Sequence, residues 1–93
     1  MKIRLTGYIQ VPENRLSDVR AGLIDHIRLT HQEPGCISFE VTENPDIPGR
    51  FDVAETFTDQ AAFDTHQTRT KASPWAEITA GIPRDYEITE VPG

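Results

Sequence analysis

The sequence predicts an α+β domain with the element order β-α-β-β-α-β, in which a four-stranded antiparallel sheet carries both helices on one face. Three observations predict it. Four segments alternate apolar and polar side chains with a period of two, two segments space their apolar residues three and four apart, and breaks rich in Pro and Gly separate them. The 93 residues make one domain, 1–93, without an internal repeat, low-complexity tract or linker.

The first strand runs from Ile3 to Val11, where Ile3, Leu5, Ile9 and Val11 alternate with Lys2, Arg4, Thr6, Tyr8 and Gln10. Pro12 ends it. Pro12-Glu13-Asn14 then opens a helix whose Leu16, Val19, Leu23, Ile24 and Ile27 recur at helical spacing, and Glu33-Pro34-Gly35 closes it after about Gln32. Ile37, Phe39 and Val41, alternating with Cys36, Ser38, Glu40 and Thr42, give the second strand. Glu43 to Gly49, with two prolines, is a loop.

Arg50 to Thr58 is the third strand, and Thr58 or Asp59 caps a second helix reaching about Thr70. Ser73-Pro74-Trp75 has the cap-then-proline form of a fresh helical start, which Gly81-Ile82-Pro83 stops. Arg84 to Val91 is the last strand, and Pro92-Gly93 is a tail. This order leaves one sheet face bare. In so short a chain a second copy's sheet, stacked face to face, is the expected cover.

Composition excludes several function classes. Fifteen acids against nine bases leave a formal charge of −6, with no basic run, which argues against a nucleic-acid partner. No stretch approaches the roughly 20 apolar residues of a membrane span, and MKIRLTGYIQ has no continuous apolar core of a secretory signal. A single cysteine, Cys36, excludes an intramolecular disulfide and fits a reducing, cytoplasmic setting.

The chain's chemistry concentrates between Arg50 and His66. Phe51, Val53, Glu55 and Phe57 share one strand face, so an acid sits in an apolar row. Ala62 and Phe63 precede His66 by four and three residues, which places the imidazole on the apolar helix stripe. If stripe and row pack together, Glu55 and His66 point into the same space between sheet and helix. No metal site is expected: His26 and His31 stand five residues apart and diverge, and Cys36 has no second cysteine nearby.

Glu33-Pro34-Gly35-Cys36-Ile37-Ser38-Phe39-Glu40, Asn44-Pro45-Asp46, Arg50-Phe51, Glu55-Thr56-Phe57, Ala62-Phe63 with His66, and Ser73-Pro74-Trp75 together resemble the antibiotic biosynthesis monooxygenase family. The resemblance runs through nearly the whole chain. It implies a ferredoxin-like fold paired as a homodimeric α/β barrel. It also implies a cofactor-independent monooxygenase that oxidises a small aromatic quinol or anthrone with dioxygen. The family's haem-degrading branch is typified by an asparagine on the first strand, where this chain reads Thr6-Gly7-Tyr8, so haem degradation is not expected. The family also holds an isomerase of a phosphorylated sugar derivative, and a histidine in the position of His66 is common to both kinds.

His66 is the candidate base, its ordinary pKa of about 6.5 lying near working pH; the alternative is a structural imidazole satisfied by Glu55 or a carbonyl. Glu55 is the second candidate catalytic residue, orienting His66, although an ion pair with Arg50 or Arg84 at the barrel rim is the expected arrangement. Trp75, Phe39, Phe57 and Phe63 are candidate walls for an aromatic ring, and Arg50 or Arg84 is a candidate anchor for an anion. The alternatives to the oxygenase are an isomerase of a small carbonyl compound and a non-catalytic dimeric binding or stress protein. An apolar cavity against His66 is expected of the oxygenase, a basic polar one of the isomerase, and a filled core of the non-enzyme.

Overall fold

A computed structural model describes residues 1–92. Gly93, part of the expected tail, lies outside the described residues. The elements are β1 (Lys2–Gln10), a 3-10 turn (Glu13–Arg15), α1 (Leu16–His31), β2 (Cys36–Glu43), β3 (Arg50–Phe57), α2 (Gln60–Lys71), α3 (Pro74–Ile78) and β4 (Arg84–Val91). The strands form one antiparallel sheet in the order β2-β3-β1-β4, the arrangement that the β-α-β-β-α-β order implies.

The helices cover one face of this sheet. Register puts Ile3 opposite Phe57, Leu5 opposite Glu55 and Ile9 opposite Phe51, so these side chains share the helix side. The core divides into two parts. Ile9, Val11, Val19, Leu23, Phe51 and Ile82 pack at one end, and Ile3, Leu5, Val53, Phe57 and Phe63 at the other. Burying each such side chain stabilises the fold by about 1.5–3 kcal/mol.

Caps and turns fix the helix ends. Asp59, not Thr58, caps α2, its carboxylate accepting from the Ala62 N–H at 2.8 Å. Five residues make α3 too short to stand alone. The Arg15 guanidinium holds its far end by donating to the carbonyls of Ile78 and Ala80. On β1, a Cβ at Gly7 would collide with the Asp85 carbonyl, and its φ of 152° suits glycine. Close pairing of β1 with β4 therefore depends on that glycine.

The second strand departs from the expected alternation. The β2–β3 register shifts between Cys36, opposite Phe57, and Ser38, opposite Thr56. Ile37 is the extra residue of this irregularity and stands exposed, while Cys36 packs against the core with Phe39 and Val41 on its side. One inserted residue moves the preceding side chains to the other face.

The bare face is polar. Arg50 pairs with Asp52 at 2.7 Å and lies over the Tyr8 ring, 4.0 Å from its centroid, while Arg4 donates to Thr56 at 3.0 Å. Among the described residues no helix is long and apolar enough to cross a membrane.

Candidate active site

Three elements bring the proton-transferring groups together. β3 carries Glu55, α2 carries His66 and Arg69, and the turn that ends α1 carries Glu33. Glu55 is 7% exposed and His66 2%. Both Glu33 oxygens lie against His66 Nδ1, at 2.9 and 3.0 Å, so the Nδ1–H donates to the carboxylate. Arg69 Nε donates to the same carboxylate at 2.9 Å, and a second Arg69 nitrogen donates to Thr30 Oγ1 at 2.9 Å. This fixes the tautomer and leaves His66 Nε2 facing Glu55 and the Thr70 hydroxyl, which donates to it at 3.5 Å.

Glu55 Oε1 lies 3.6 Å from that Nε2, too far for a hydrogen bond and close enough for an ion pair. The same oxygen has no hydrogen-bond partner among the described residues. Burial, reinforced by the negative charge of Glu33, pushes the Glu55 carboxyl up to about 7. A buried acid that is half ionised near neutral pH can take a proton or return one.

These groups open on a cavity of about 290 Å³ between sheet and helices. His26, Thr70, Lys71, Trp75, Thr79, Arg84 and Tyr86 complete most of its wall. The polar share of the wall is large, and two cations stand in it. Trp75 stacks on His26, centroids 4.8 Å apart and planes 6° from parallel.

The sequence-predicted residues divide accordingly. Glu55, His66 and Trp75 meet at the cavity. Phe39, Phe57 and Phe63 do not line it: they are core residues behind the imidazoles, Phe57 4.8 Å and Phe39 5.8 Å from His66, and Phe63 5.6 Å from Phe57. Arg50 is corrected as an anchor and as the partner of Glu55. It belongs to the opposite sheet face, since it is an odd number of residues from Glu55 along β3, and Asp52 takes its charge. Glu55 pairs with no arginine among the described residues.

Glu33 and His26 were missed. Glu33 reads in the sequence as a helix-stopping turn residue, and its reach to His66 spans 33 positions. His26 shares the apolar stripe of α1 with Val19 and Leu23, a pattern visible in the sequence by the same rule that singled out His66. His31, by contrast, lies against the Phe39 carbonyl at 3.0 Å and serves the fold.

The sequence profile described as antibiotic biosynthesis monooxygenase matches residues 2–77. The chain belongs to the antibiotic biosynthesis monooxygenase family. The match ends before β4, so Arg84 and Tyr86 line the cavity from outside the matched stretch. No curated protein sequence matches the chain. Solved structures agree on the fold. A Nitrosomonas europaea protein provisionally named an antibiotic biosynthesis monooxygenase is 19% identical, with 95% of this chain and 88% of that one aligned at a TM-score of 0.79. A Deinococcus radiodurans protein of the same provisional name is 22% identical over 100% and 94% of the two chains, at a TM-score of 0.77. A Mycobacterium tuberculosis protein is 21% identical over 100% and 97%, also at 0.77.

Proposed function

We infer that this family member is a cofactor-independent monooxygenase that oxidises a small hydroxylated aromatic, of quinol or anthrone type, with dioxygen. The observation that carries the reading is the buried Glu55 carboxyl, whose Oε1 lies 3.6 Å from His66 Nε2, has no hydrogen-bond partner among the described residues and lines the cavity. Triplet dioxygen reacts poorly with closed-shell molecules, so the substrate itself must supply electrons, which a phenolate or enolate does readily. Glu55, relayed by His66, takes the hydroxyl proton. The anion passes one electron to dioxygen, the radicals join at carbon, and the resulting hydroperoxide loses water to leave a carbonyl. One quinol and one dioxygen thus give one oxygenated quinone and one water. Arg84 and Lys71 stabilise the anions formed on the way, and Glu33 with Arg69 holds the imidazole that shuttles the proton.

A homodimer is part of this reading, supported by membership of the family and by the sheet face that the helices leave uncovered, and so is a cytoplasmic location, supported by the single cysteine.

The test is oxygen uptake by metal-free, flavin-free protein offered a panel of hydroquinones and anthrones. Uptake that yields quinone and falls at least tenfold in His66→Ala and Glu55→Gln, about 1.4 kcal/mol in barrier, is expected. Uptake unchanged in both variants sinks the assignment of the base.

The cavity is polar and holds Arg84 and Lys71, which is the wall expected of a second reading, isomerisation of a small anionic carbonyl compound; cavity polarity supports that reading, whereas family membership and the buried acid beside His66 support the oxygenase. Exchange of the α-proton of a phosphorylated hydroxyketone with deuterated water, with no oxygen consumed, would select it over the oxygenase.

A further inference from the structure

Two rings that the proton array does not use, His26 and Trp75, also line the cavity. His26 of α1 lies face to face with Trp75 of α3, and Phe39 meets the same imidazole edge-on at 5.3 Å. His26 is 6% exposed, and its Nδ1 is enclosed without a hydrogen-bond partner among the described residues. Leaving a buried polar atom unpaired costs about 1–3 kcal/mol. A phenylalanine or leucine would fill the space between Trp75 and Phe39 without that cost. The ring nevertheless stands in the cavity wall with Glu55 and His66, its centroid 6.1 Å from that of His66.

The enclosed nitrogen settles which end of the ring is available. Nδ1 cannot be reached, so Nε2 is the nitrogen that can meet a ligand. Enclosed N–H groups without partners are rarer than enclosed acceptors, which makes Nδ1 the bare nitrogen and puts the proton on Nε2.

We propose that His26 is a second substrate-contacting histidine, a neutral imidazole whose Nε2–H donates a hydrogen bond to a substrate oxygen across the cavity from Glu55. The substrate is then a small aromatic with two oxygens, one losing its proton to the Glu55–His66 array and the other held at His26. In that second clause the proposal rests on the monooxygenase reading. Burial, together with the charges of His66 and Arg69, lowers the His26 pKa to about 3. Such a ring stays uncharged through the working range and does not compete with Glu55 for the proton. A fixed neutral donor aimed at an oxygen that gains charge stabilises that charge without reorganising.

The test uses wild-type protein with 15N-labelled histidines, observed by NMR under argon with 1,4-hydroquinone as the probe, so that binding occurs without turnover. The free protein is expected to show His26 in the Nε2–H form at about pH 5 and about pH 8 alike. Adding hydroquinone is expected to move the Nε2 resonances of both His26 and His66. Movement of His26 alone keeps this proposal and removes the Glu55–His66 assignment. Movement of His66 alone overturns the proposal and keeps that assignment, and movement of neither overturns both. Calorimetry under argon then compares two variants: His26→Gln, which retains a donor, is expected to bind within about threefold of wild type. His26→Phe, which retains the stack alone, is expected to bind about tenfold more weakly, or about 1.4 kcal/mol. Equal binding by the Phe variant overturns the proposal.

Discussion

Glu33 grips His66 by both carboxylate oxygens, at 2.9 and 3.0 Å from a single ring nitrogen, although the two residues stand 33 positions apart. The grip joins the end of α1 to the middle of α2. Glu33→Ala leaves a buried imidazole N–H and the Arg69 guanidinium without their acceptor, and a loss of about 1–3 kcal/mol is expected in urea denaturation. Glu33→Gln keeps an acceptor and should recover most of that stability while still lowering the proposed oxygenase activity, because an imidazolium formed on proton uptake at His66 would lose its counter-charge.

Two buried groups give opposite dependences of stability on pH. Glu55 titrates near 7 in the folded protein against an ordinary 4.5, so the folded state keeps a proton that the unfolded chain gives up. That contribution is complete below about pH 4.5 and is lost as pH rises to about 7, on the order of 3 kcal/mol. His26 is depressed from 6.5 to about 3, so its neutral form favours folding above about pH 6.5 and the contribution is lost as pH falls toward 3. Between about pH 4.5 and 6.5 the two slopes oppose and largely cancel, so denaturation from about pH 4 to about pH 8 should show stability rising more steeply with pH up to about 6.5 in Glu55→Gln, and falling with pH from about 4.5 to about 7 in His26→Phe. Parallel curves for variant and wild type would remove the burial argument for that residue.

Trp75 contributes packing and cavity shape together. Trp75→Ala removes the stack on His26 and the indole's packing on the core, and should lower stability by about 2 kcal/mol or more in thermal unfolding. Trp75→Phe preserves a ring at that place and should restore at least half of the loss.

The uncovered sheet face predicts a dimer of about 21 kDa, twice the 10.5 kDa chain, in sedimentation equilibrium. Ala54 sits mid-face between Thr6 and Glu40 of the neighbouring strands. Ala54→Arg crowds that centre and should give monomers. A monomeric wild-type protein at all concentrations would remove the face-to-face arrangement.

The sheet, both long helices and the meeting of Glu55 with His66 were legible because each rests on a local period of two or of 3.6 residues. The start of α3 was legible from Ser73-Pro74, whose proline has a fixed φ suited to a first helical turn. What escaped was set by long-range fit. The extrusion of Ile37 depends on how β2 registers against β3, and a count of alternation along β2 alone assigns it inward. Arg50 is the exception, since the local period of two along β3 already sends it and Glu55 to opposite faces. Glu33 escaped because a carboxylate in a Pro-Gly turn has a sufficient local explanation, and the partner that gives it a second one lies on another helix.

The shortness of α3 bears on how a substrate reaches the site. Five residues cannot hold a helix by their own hydrogen bonds, so this wall persists through the packing of Trp75 and Ile78 on the core, the Trp75 stack on His26 and the two Arg15 contacts at its far end. Local opening there breaks few interactions, whereas opening at β3 disrupts the central sheet. Amide exchange is accordingly expected to be faster along Trp75–Ile78 than along β3, which makes α3 the flank expected to yield first to an entering ligand.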